Sequence, residues 1–75
     1  MEYITVTLEM GMTKLPVSVP VGSDLGHIRT LKDNLETIGA PSAFNLAVNG
    51  VAQEETYVLN ANDNVQFRPV SASKG

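Results

Sequence analysis

The 75-residue chain contains no cysteine. That excludes disulfide staples, thiolate metal sites and cysteine nucleophiles, and leaves stability to aliphatic packing in what suits a reducing compartment. Basic residues are few: Lys14, Arg29, Lys32, Arg68 and Lys74 are scattered, and against eight acidic residues the formal charge is −3. No basic stripe exists to neutralise phosphates, so nucleic acid is not an expected partner. No apolar run approaches the roughly 20 residues that span a bilayer, so no membrane association is expected. Met1-Glu2-Tyr3 begins an alternating pattern where a secretory peptide would place a basic region, and the expectation is a soluble, cytoplasmic chain.

Catalytic vocabulary is equally thin. His27 is the single histidine; with no second His, Cys or carboxylate at ligand spacing it reads as a surface residue near a helix start. Glu54-Glu55, and Asp33 with Glu36, imply no nucleophile or apolar pocket that would separate their pKa values, and they read as solvated acids. Gly11, Gly22, Gly26, Gly39 and Gly50 stand alone, so no loop is built to cradle phosphate. These absences predict a chain that is not an enzyme and needs neither cofactor nor metal.

What is present is periodicity. A chain this size makes one domain and buries roughly 60% of its unfolded surface in a single thin core. Ile4, Val6 and Leu8 alternate with Tyr3, Thr5 and Thr7, the period of a half-buried strand. Alternation resumes through Leu15, Val17, Val19 and Val21, and Gly11 supplies a positive φ to the hairpin between the two runs. Pro16 and Pro20 share the opposite parity, so the two missing N–H groups lie on one lateral side. That makes the second strand an edge.

From Ser23 to Ile38 the stripe Leu25, Ile28, Leu31, Leu35 and Ile38 predicts a helix, capped by Ser23 or Asp24 and stopped by Gly39 and Pro41. Gly26 weakens its first turn by about 1 kcal/mol relative to alanine. Phe44 to Val48 reads as a short strand running into the turn Asn49-Gly50, with Val51 and Ala52 as a weak return. Tyr57-Val58-Leu59 is either a further short strand or a crossing over the core. After the polar turn Asn60 to Asn64, Val65 and Phe67 point inward and Gln66 and Arg68 outward. The order is ββαβ(β)β, with residues 1–70 as one domain and 71–75 as a flexible tail.

That order, with Leu59, Asp63, Val65, Phe67, Pro69 and Val70 following Ala47-Val48-Asn49, resembles the small sulfur carriers of molybdopterin and thiamin synthesis. The resemblance implies an α+β, ubiquitin-like β-grasp: a mixed sheet of four to five strands packed on one helix. It also implies a carboxyl terminus activated by an adenylating enzyme and converted to a thiocarboxylate. Gly75 would supply that carboxylate, although Lys74 stands where those families place the penultimate glycine of a Gly-Gly end.

Parity places Thr5, Thr7, Asn45, Ala47, Gln66, Arg68 and Val70 on the sheet face away from the helix, the face that β-grasp domains commonly offer to partners. Met10 and Met12 flank Gly11 at the hairpin tip, where they either add an adaptable contact surface or fold back over the core. The expected protein-binding set is therefore Thr5, Thr7, Met10, Met12, Ala47, Gln66, Arg68 and Val70. The expected role is a non-catalytic module that binds a protein partner. The alternatives are a sulfur carrier or ubiquitin-like modifier activated at Lys74-Gly75, and a small viral or mobile-element accessory protein that occupies a host protein.

Overall fold

The computed structural model describes residues 2–70; the tail expected over 71–75 lies outside them, as do Lys74 and Gly75. Strands β1 (Tyr3–Met10) and β2 (Thr13–Pro20) form an antiparallel hairpin in which Met10 faces Thr13 across Gly11 and Met12. Gly11 has φ +60° and Met12 does not share it, the pattern of a II′ turn, whose twist matches that of the flanking strands. Counting from the closing pair, Pro16 opposite Thr7 and Pro20 opposite Tyr3 occupy the positions whose amides would point away from β1. β2 is the sheet edge those prolines predict, for the strand order is β2-β1-β5-β3-β4.

The second half supplies β3 (Phe44–Val48), β4 (Val51–Ala52) and β5 (Asn64–Pro69). Asn49 (φ 53°) and Gly50 (φ 88°) both take positive φ, as a I′ turn requires, and close the β3–β4 hairpin. β5 inserts between β1 and β3, parallel to the first and antiparallel to the second, so the sheet is mixed. Residues 57–59 form no strand of their own. They cross beside the first helix, where Val58 makes an isolated β-bridge with Asp24.

The helical region departs from the single helix expected over Ser23–Ile38. It is two pieces, α1 (Leu25–Ile28) and α2 (Lys32–Ile38). The cause is local: the His27 carbonyl accepts from the Thr30 amide at 3.0 Å and from Thr30 Oγ1 at 2.6 Å, which leaves it occupied when Leu31 needs a helical partner. The Leu31 amide goes to Ile28 instead, and the Lys32 amide goes to Thr30 at 2.9 Å. Leu31, at φ −85° and ψ 66°, is the centre of an inverse γ-turn. The Asp24 carboxylate accepts from the His27 amide at 3.0 Å as the cap, and Gly39 closes α2 in the left-handed conformation at φ 76°.

The broken helix still delivers its stripe. Leu25, Ile28 and Ile38 are buried and Leu31 and Leu35 pack against them, over an inner sheet face of Val6, Leu8, Val19, Leu46, Val48, Val65 and Phe67. Phe44 and Phe67 meet edge to face with ring centroids 4.9 Å apart. The first amides of α1 find partners in the crossing loop: Leu25 donates to the Tyr57 carbonyl and Gly26 to that of Glu55. Those donors have no intrahelical acceptor, so the loop is what holds so short a helix in place.

Candidate functional site

All the helical residues lie on one side of the sheet, and the other side is open. Its cross-strand rows follow from the registers. One runs Lys14, Glu9, Gln66, Ala47 and Ala52 from edge to edge; another runs Pro16, Thr7 and Asn64. The face is polar and wet, as the uncovered face of such a sheet commonly is.

The parallel β1–β5 register decides which expected site residues meet. It pairs Thr7 with Asn64 and Glu9 with Gln66, and Asn62 donates to the Thr5 carbonyl at 2.7 Å. Continuing it places the Gly11-Met12 turn level with Arg68. Thr5 lies six positions before Gly11 along the first hairpin, or roughly 20 Å at a strand's rise, from the level of Arg68. Thr5 and Thr7 therefore belong to the lower half of the face. Arg68 and Val70 belong to its upper end, the end at which the Gly11-Met12 turn lies by the same count, with Gln66 between the groups.

Two expected contact residues are placed differently. Met10 shares the inward parity of Leu8 and packs against the core, so the folded-back alternative holds for it, whereas Met12 is 100% exposed. Ala47 is on the open face by register but has no exposed surface. Its methyl is too short to rise past longer neighbours such as Gln66 on the next strand. Parity gives the direction of a side chain and not its reach.

Sequence reasoning also missed two polar clusters. Asp63 is 6% exposed, and its carboxylate accepts from the Asn60 amide at 2.8 Å, Tyr57 Oη at 3.2 Å and Asn49 Nδ2 at 3.2 Å. Asn49 in turn accepts from the Asn64 amide through Oδ1 at 3.0 Å, so one turn residue clips β3 to the approach of β5. The other cluster is on the helical side. Arg29 donates through Nη2 to the Phe44 carbonyl at 3.2 Å, and its guanidinium carbon lies 4.7 Å from the centre of the Phe44 ring. Arg29 Nε is 2.7 Å from Glu55 Oε2, a close ion pair whose N–H is not aligned for a hydrogen bond.

His27 is half-buried beside the α1 cap, and among the described residues no group of three acids or histidines is placed to hold a metal ion. No described helix is long and apolar enough to cross a membrane.

No protein-family model matches this chain, and no curated protein matches it. Among solved structures it is similar to a ubiquitin from Caldiarchaeum subterraneum, with a TM-score of 0.65 and 17% sequence identity over 95% of this chain and 100% of that one. At that identity the likeness speaks to architecture alone: the fold is an α+β, ubiquitin-like β-grasp.

Proposed function

We propose that this chain is a non-catalytic protein-interaction module, working in the cytoplasm, which receives a protein partner on the open face of its sheet. The reading rests above all on the parallel pairing of β1 with β5, which ends at Glu9–Gln66 and, continued, puts the turn that carries the exposed Met12 at the same end of the sheet as Arg68 and Val70. An arginine is among the residue types that anchor interfaces, and an unencumbered thioether is an adaptable contact surface; Val70 adds exposed apolar area beside them. The β2 edge supports the same choice. Pro16 and Pro20 leave two gaps in its row of outward donors, which disfavours a partner that adds a strand. The test is capture of partners from the native extract with the wild-type chain and with Arg68→Glu. The proposal expects loss of the specific partner, by about tenfold or more for an interface anchor; retention of every partner counts against this surface.

A second reading, a ubiquitin-like modifier or sulfur carrier, draws on the likeness to the archaeal ubiquitin over nearly the whole chain. Here Gly75 supplies the carboxylate, Lys74 and its neighbours form the tether, and an adenylating enzyme performs the acyl activation. Intact mass measurement after incubation with ATP, such an enzyme and a sulfur donor decides it. A thiocarboxylate adds about 16 Da, from exchange of one oxygen for sulfur at the activated acyl group; an unchanged mass leaves the interaction module.

A further inference from the structure

The Asn49-Gly50 pair that makes the β3–β4 turn also carries covalent chemistry of its own. Asparagine is among the thermolabile residues, because the nitrogen of the following residue can attack its carboxamide. Glycine hinders that attack least, having no Cβ. Both residues are exposed, and a Cβ placed on Gly50 would meet nothing within 4 Å. The turn is closed by Val48 and Val51, and the Asn49 amide goes to the Asn64 carbonyl at 2.9 Å; among the described residues nothing accepts from the Gly50 amide. The nucleophile is therefore free, whereas the carboxamide it would attack is held at both polar atoms. Asn49 Nδ2 donates to Asp63 Oδ1 at 3.2 Å, and Oδ1 accepts from the Asn64 amide at 3.0 Å. So fixed, the carboxamide faces the approach of β5 and cannot rotate onto the nitrogen of Gly50.

We propose that Asn49 is a site of deamidation whose rate is governed by this clip to Asp63 and Asn64. When the clip opens, the Gly50 nitrogen bonds to Asn49 Cγ and gives up its proton, which water passes to the departing Nδ2. The Cγ–Nδ2 bond breaks, ammonia leaves and a cyclic imide remains. Water then opens the imide at one of its two carbonyl carbons. Opening at the main-chain carbonyl leaves isoaspartate, with the backbone rerouted through Cβ; opening at Cγ leaves aspartate. No atom changes oxidation state, and water is the one co-reactant. Either product replaces the Nδ2 donor with a carboxylate, which cannot donate to Asp63 and repels it. The clip does not re-form. The turn is thus tied to β5 until Asn49 reacts and is released from it afterwards, a one-way change that the fold itself delays.

The experiment holds the full chain at mildly alkaline pH, with and without denaturing urea, and follows Asn49 by mass spectrometry with fragmentation to separate it from the other asparagines. Deamidation adds the mass difference between a hydroxyl and an amino group. Conversion at Asn49 should be about tenfold or more slower in the folded chain than in urea, the suppression that two hydrogen bonds supply. Hydrogen exchange on the same unmutated chain reads the opening of the clip through the Asn64 amide. That amide should exchange faster than the amide of Leu8 in the buried centre of the sheet, and its open fraction should match the slowing of deamidation within about threefold. Asp63→Ala should return most of the lost rate. Conversion as fast in the folded chain as in urea, no conversion in either, or an Asn64 amide that opens only together with Leu8 overturns the proposal. So does an Asp63→Ala chain that keeps its fold by circular dichroism and reacts at the wild-type rate. If that variant unfolds, the comparison of exchange with deamidation in the wild-type chain decides alone.

Discussion

Asp63 and Arg29 are polar residues with structural work, and the magnitudes separate their interactions. Replacing Asp63 by alanine strands three donors in a closed turn. We expect about 3 kcal/mol of lost stability in urea unfolding, since hydrogen bonds to a charged group are the costly ones to break. Arg29 makes an ion pair with Glu55, which is 62% exposed, so Glu55→Gln should change stability by no more than about 0.5 kcal/mol. Arg29→Ala also removes the bond to the Phe44 carbonyl and the cation over the Phe44 ring, and should cost about 1–2 kcal/mol in the same assay. An equal loss from both variants would assign the energy to the ion pair. Neither cluster was legible in the sequence: Asp63 stood in a run of turn formers whose Asn60 and Tyr57 lie close by but join it only once Asn49 is folded onto the same turn, and the partners of Arg29, at a helix position, come from segments distant along the chain.

At the scale of elements, local chemistry was readable where a single residue dictates the backbone. Gly11 and Asn49-Gly50 specify their turns, and Pro16 and Pro20 specify an edge. The helix break was not read because the hydrophobic stripe continues across it. Leu31 reaches the core from an inverse γ-turn about as well as from a helix, so periodicity is blind to the change, and the available signal was the Thr30 hydroxyl within reach of the His27 carbonyl. The edge carries its own prediction. Restoring both amides with Pro16→Val and Pro20→Val completes the row of β2 donors, and sedimentation velocity should show concentration-dependent self-association that the wild-type chain lacks. If the double variant sediments as the wild type does, some other feature protects that edge.

For the whole molecule, the decisive relation is the insertion of β5 between β1 and β3, which no local pattern encodes. It makes the sheet mixed, places the first and last strands side by side and, with the register continued past Glu9–Gln66, sets the Met12 turn at the Arg68–Val70 end of the face and Thr5 at the other. A face composed of open, polar rungs with an anchor cluster at one end is the basis for reading the chain as a docking module. The measurement that tests this most directly is site-specific photocrosslinking in the native extract, with a photoreactive amino acid placed in separate chains at Met12, Gln66, Asp33 or Thr37. Gln66 is on the open side, Met12 is fully exposed at the tip of the β1–β2 hairpin, and the last two positions are exposed on α2. Protein adducts from Met12 and Gln66, with none from Asp33 or Thr37, are the expected result; adducts confined to the α2 positions would contradict it.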